Sequence, residues 1–80
     1  MWSEGSIAAP NDDGTYTVCK YRVKHFDEPS EKYGIDGGRI SKLTITVNGE
    51  ITLNYDRGWD IESEDEASQM AYAILLKEFN

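Results

Sequence analysis

The chain has 80 residues, 39% apolar and 11% aromatic, with 15 acids against 8 bases for a formal net charge of −7. That length holds one small domain, residues 1–80, with a thin core, and the composition excludes wholesale disorder. A single cysteine excludes an internal disulfide, and with no basic-then-apolar leader and no apolar run near about 18 residues, a cytoplasmic protein without a membrane span is expected.

The first strand is expected over Trp2–Ala8, with Gly5 its weak point. Pro10-Asn11-Asp12-Asp13-Gly14 forms a dense turn cluster in which Gly14 can take positive φ without cost. Thr15–Phe26 then alternates as a long strand. Cys19, Tyr21 and Val23 point one way and Lys20, Arg22 and Lys24 the other, as in a sheet with one face on the core and one in water. Asp27–Gly38 has no period and carries Pro29, Gly34, Gly37 and Gly38, so it is expected to be a loop, long enough to carry function.

Ile40–Tyr55 alternates around Asn48-Gly49. A two-residue loop would pair Ile45 with Thr52 and split the apolar residues over both faces. A three-residue loop, Val47-Asn48-Gly49, pairs Ile45 with Ile51 and Leu43 with Leu53, and parity favours it. Ser63 and Glu66 can form a capping box that opens a helix running to Phe79. Ala67, Met70, Ala71, Ile74 and Leu75 make its apolar stripe, widened by Tyr72, Leu76 and Phe79. Glu64, Asp65 and Glu66 suit the positive end of the helix dipole and Lys77 the negative end.

These elements predict an α+β fold: a three- to four-stranded antiparallel meander sheet with one C-terminal helix packed on one face. Leu43, Ile45, Ile51, Leu53, Met70, Ile74 and Leu75 are the expected core centre.

No catalytic signature emerges, and neither a cofactor nor a metal is expected. Cys19 and His25 share a strand face but stand six residues, roughly 20 Å, apart, too far to act as a pair. Asp60, Glu62, Glu64, Asp65 and Glu66 lack the glycine of a calcium loop, and capping explains them without metal. Gly34–Arg39 lacks the Lys-Ser/Thr of a phosphate loop and leads into a strand rather than a helix; Asp36 and Arg39 could pair across it. Lys20, Arg22 and Lys24 are most simply a solvated strand face balanced by neighbouring acids. Without interleaved aromatics they do not make a nucleic-acid platform.

Residues 1–49 carry seven acids and six bases, net −1, and residues 50–80 eight acids and two bases, net −6. Direct binding to nucleic acid or to a membrane is therefore disfavoured, and an unknown protein partner is expected. The candidate partner surface is Tyr33, Asp36, Arg39 and Trp59, with the long loop beside exposed aromatic anchors. A sheet edge would offer a route to a homodimer.

The segment Tyr-Gly-Ile-Asp-Gly-Gly-Arg-Ile-Ser-Lys-Leu from Tyr33, the later Asn-Tyr-Asp-Arg-Gly-Trp-Asp and the tail Tyr-Ala-Ile-Leu-Leu-Lys-Glu-Phe-Asn resemble a family of short uncharacterised proteins of Clostridia-type gut bacteria and their prophages. The resemblance implies a bacterial or phage setting and no catalytic residues. The leading expectation is a non-enzymatic protein-interaction module of bacterial or prophage origin. Two alternatives are an acidic nucleic-acid-mimicking inhibitor of a basic host protein, and a small enzyme with a site around Gly34–Arg39 that would use Asp36, Arg39, Asp56 and His25.

Overall fold

The computed structural model describes residues 1–80 throughout. Five strands, β1 (Trp2–Pro10), β2 (Tyr16–His25), β3 (Ile40–Val47), β4 (Glu50–Asp56) and β5 (Trp59–Ile61), are followed by one helix, α1 (Glu66–Phe79). The strands lie in chain order, each antiparallel to the next, and the helix covers one face. The α+β class and meander order agree with the sequence. The strand count is one higher than expected, because Arg57 turns the chain at φ 58 and Trp59–Ile61 folds back along β4. Three residues are too few for alternation to be visible in the sequence.

The β3–β4 hairpin corrects the parity argument. Its loop is the two-residue Asn48-Gly49, both at positive φ (52 and 80), as a type I′ turn requires. The pairing is Val47 with Glu50 and Thr46 with Ile51, but then Ile45 with Leu53. Thr52 is the extra residue of a bulge. That bulge, and not a longer loop, flips the parity and brings Leu53 and Tyr55 onto the face of Ile45 and Leu43. Ile51 stays on the outer face at 54% exposure. Parity established that one residue had to be inserted; it could not say where.

The helix corrects the expectation in two further ways. Asp65, not Ser63, is the N-cap, its carboxylate accepting from the Ser68 amide at 2.8 Å. The inward stripe runs through Ser68, Ala71, Tyr72, Leu75, Leu76 and Phe79, leaving Met70 and Ile74 exposed. The residues nearest the sheet are small. Ser68 and Ala71 let the helix axis approach closely, and the Ser68 hydroxyl meets the hydroxyl of the bulge residue Thr52 at 2.7 Å. Side-chain hydrophobicity favours Met70 and Ile74, but close approach favours the small residues beside them.

The core unites Val23, Cys19, Leu43, Ile45, Leu53, Tyr55 and Leu75 with Ile35 and Ile40. Ile35 belongs to the 27–38 loop, which is therefore a packed element. It makes one tight turn at Ile35–Gly37 and is tied by Ser30 N to Gly38 O and Gly34 N to Ser30 O, both 2.9 Å. A Cβ at Gly34 would overlap the Gly38 carbonyl, so the close approach of the loop to itself requires glycine there. On β1, the ring of Tyr21 lies over Gly5 and fills the space a side chain would have occupied.

Candidate functional site: an aromatic edge around Tyr55

Residues paired across an antiparallel ladder share a face, and Trp59 pairs with Tyr55. The indole is therefore directed to the helix side of the sheet, at its β5 edge. There it stands edge-on to two rings, Tyr55 at 5.2 Å and Tyr72 of α1 at 5.5 Å between centroids. Such tilted contacts are the favoured geometry for aromatic pairs and hold the indole in one orientation. Trp59 remains 43% exposed.

The loop reaches the same group from the other side. The Tyr55 hydroxyl donates to the Tyr33 carbonyl at 3.0 Å, while the Tyr33 ring is 44% exposed with the Lys32 ammonium 5.3 Å from its centre. Burial, and then the charge of Asp36, raises the Tyr55 phenol above its ordinary value. Burial likewise raises Tyr72, followed by Asp36, Tyr55 and Glu62. Asp36 itself sits at φ 50, a left-handed conformation that aspartate tolerates better than most side chains.

Trp59 and the Tyr33 carbonyl thus meet at Tyr55, and the charge of Asp36 acts on Tyr55 and Tyr72. Arg39 has no hydrogen bond or ion pair to that group, forms no bridge to Asp36, and contributes its carbonyl to Phe26 N at 3.1 Å. Tyr55 and Tyr72 were not among the candidates. Each fits an apolar stripe, and nothing in the sequence distinguishes a core tyrosine from one that braces a neighbour.

The remaining chemistry-bearing residues have separate neighbours. His25 contacts the Ser3 hydroxyl at 3.0 Å and stacks on Phe79 at 4.7 Å. Asp56 faces Lys42 at 3.6 Å and Arg57 at 3.3 Å. Cys19 is buried, and burial followed by the charge of Asp65 raises its thiol pKa. Among the acids, Asp65 caps the helix and Asp60 accepts from the Asn54 amide at 3.0 Å. No three His, Cys, Asp or Glu side chains gather closely enough to hold a metal ion. No helix is long and apolar enough to cross a membrane.

A five-stranded antiparallel meander with one crossing helix and an aromatic edge places the molecule among small α+β domains. The chain belongs to the family described as a domain of unknown function, DUF7678, which it matches over residues 1–80. No curated protein and no solved structure matches it.

Proposed function

We propose that this protein is a non-enzymatic protein-interaction module of bacterial or prophage origin that works in the cytoplasm through the aromatic edge of Tyr33, Asp36 and Trp59. The observation carrying this reading is the state of Trp59, gripped between Tyr55 and Tyr72 yet 43% open to solvent. A large ring already fixed in orientation loses little entropy when a partner covers it, which is the property of a binding anchor. The charges of Asp36 and Glu62, which act on the Tyr72 that braces Trp59, favour a partner that is basic where it touches the edge.

The two alternatives draw less support. An acidic mimic needs a continuous row of free carboxylates, but Asp65 is engaged by the helix amides and Asp60 by Asn54. An enzyme would need Asp36, Arg39, Asp56 and His25 in one cleft, yet His25 is held by Ser3, Asp56 by Lys42 and Arg57, and Arg39 forms no bridge to Asp36. The β1 edge remains a route to a homodimer, since β1 is an edge strand of nine residues in which only Pro10 lacks an amide to pair.

The reading is tested by affinity capture from a bacterial host, comparing the native chain with Trp59→Ala, Tyr33→Ala and the outer-face control Ile51→Ala. A partner retained by the native chain and the control but lost by the first two supports it. Retention by all four proteins removes the edge as the contact.

A further inference from the structure

The face of the sheet opposite α1 differs from the remainder of the surface in both charge and shape. Cross-strand pairing arranges it in three rows: Trp2, Lys24 and Lys42; Glu4, Arg22 and Thr44; Ser6, Lys20 and Thr46. Glu4, Ser6, Lys20, Arg22, Thr44 and Thr46 line a shallow depression of about 450 Å³. A second of about 300 Å³ continues it towards the hairpin tip, sharing Lys20 and Thr46. Four bases against Glu4 and Asp56, the cross-strand partner of Lys42, give this face a net of +2, which leaves −9 for the remainder of a chain whose total is −7. Overall charge conceals that segregation.

Two acids reach the bases, Glu4 to Arg22 at 2.6 Å and Asp56 to Lys42 at 3.6 Å. Lys20 and Lys24 have no carboxylate partner. The neighbouring strands therefore neutralise Arg22 and Lys42 of the stripe, as the sequence suggests, but leave Lys20 and Lys24 uncompensated. Aromatic rings are also interleaved with it. Trp2, 47% exposed, lies 4.9 Å from the Arg22 guanidinium and 5.9 Å from the Lys24 ammonium, and Phe26 is 5.5 Å from Lys24. The ladder holds Trp2 in place, because His25 N donates to the Met1 carbonyl at 2.9 Å.

We propose that this helix-free face binds single-stranded nucleic acid, with Lys20, Arg22, Lys24 and Lys42 meeting phosphates and Trp2 and Phe26 stacking on bases. A cationic track with aromatic platforms is how sequence-tolerant single-strand binders work. The hydroxyls of Ser6 and Thr46 supply donors between the cations, while that of Thr44 donates to Asn54 at 2.8 Å. Alternate residues of β2 stand about 6.6–6.8 Å apart. That is twice the roughly 3.4 Å per-strand rise of a stacked duplex, so an unstacked strand with its bases splayed onto the rings fits the spacing. The acidic remainder of the molecule limits the footprint to a short stretch and repels a duplex. An acidic peptide would satisfy the lysines but leave the two rings unused.

The experiment is fluorescence anisotropy of a short labelled oligothymidylate, titrated with the full chain at low salt and then through a salt series. Binding should weaken with salt, and Lys20→Gln and Lys24→Gln should each flatten the log–log slope by about 0.7. Trp2→Ala should weaken binding about fivefold or more with little change of slope. Glu4→Gln should tighten it, because the substitution releases Arg22. All four side chains are solvent-facing, and circular dichroism melts confirm that the variants fold. The proposal is overturned by absent binding at low salt, by an oligoglutamate of matched length binding as tightly, or by a Trp2→Ala variant that binds like the native chain. Loss of the Trp59 partner contact leaves it untouched, since the two sites lie on opposite faces.

Discussion

The side chain of Asn80 accepts from the Ile40 amide at 2.9 Å and donates to the Ile35 carbonyl at 3.1 Å, so one terminal amide joins the helix end, the loop and the start of β3. Both backbone groups belong to buried residues; the Ile35 carbonyl also accepts from the Gly38 amide at 2.8 Å, so it is the Ile40 amide that depends on Asn80. Asn80→Ala should cost about 1–3 kcal/mol, the usual penalty for orphaning one buried polar group, here the Ile40 amide. Amide exchange at Ile40 should accelerate at the same time. A β-carbon on Gly38 would lie 2.3 Å from the Asn80 side chain. The cost of Gly38→Ala should therefore fall sharply in an Asn80→Gly background, and a double-mutant cycle by urea melts measures the coupling.

Leu53 and Ile51 separate the bulged register from the unbulged one. Leu53→Ala should cost about 2–5 kcal/mol because it empties a fully buried site. Ile51→Ala, on the outer face, should change stability by about 0.5 kcal/mol or less. Equal losses at the two positions in chemical melts would contradict the bulge at Thr52.

Asp65 and Ser63 provide the same kind of contrast at the helix start. Removing the carboxylate that accepts from Ser68 N should cost about 0.5–2 kcal/mol in Asp65→Ala. Ser63→Ala should be near neutral, since only the Ser63 carbonyl is engaged, by Gln69. Thermal melts of the two variants compare them directly.

Stability should fall at alkaline pH through Tyr72 and Tyr55. Both phenols are raised in the fold above the ordinary 10.0, first by burial and then by neighbouring negative charge. The folded state thus holds these protons more tightly than the unfolded chain. Their contribution is complete below pH 10.0 and is lost as pH rises through the folded values. Urea melts between about pH 9 and 11 should show a decline that Tyr72→Phe flattens, because that variant has no phenolic proton to lose.

Cys19 should resist thiol reagents until the protein opens. It is fully buried, and burial raises its pKa, so little thiolate forms and none is accessible. Labelling by a disulfide reagent should be slow in buffer, fast in denaturant, and accelerated in Leu53→Ala in proportion to the stability lost.

By itself the sequence determined the meander order, the faces of β2, the presence of a turn containing Asn48-Gly49, and the existence of α1 and its end at Phe79. These rest on local rules: alternation, turn conformations that only certain residues adopt, and a helical period with charges at matching ends. Tertiary structure decided what local rules leave degenerate. Leu53 could reach the core by a longer loop or by a bulge, and the buried hydroxyl contact between Thr52 and Ser68 accompanies the bulge. Met70 and Ile74 outweigh Ser68 and Ala71 in any hydrophobic count, yet close approach of helix to sheet put the small residues inside. The surfaces followed the same division. Trp59 was recognisable as a residue whose exposure mattered, but the rings that hold it come from 4 residues earlier and 13 later in the chain. The outer face gained its aromatics only when β1 paired with β2 and set Trp2 beside Arg22 and Lys24. Such juxtapositions depend on register between distant segments, and register is set by the packing of the whole domain.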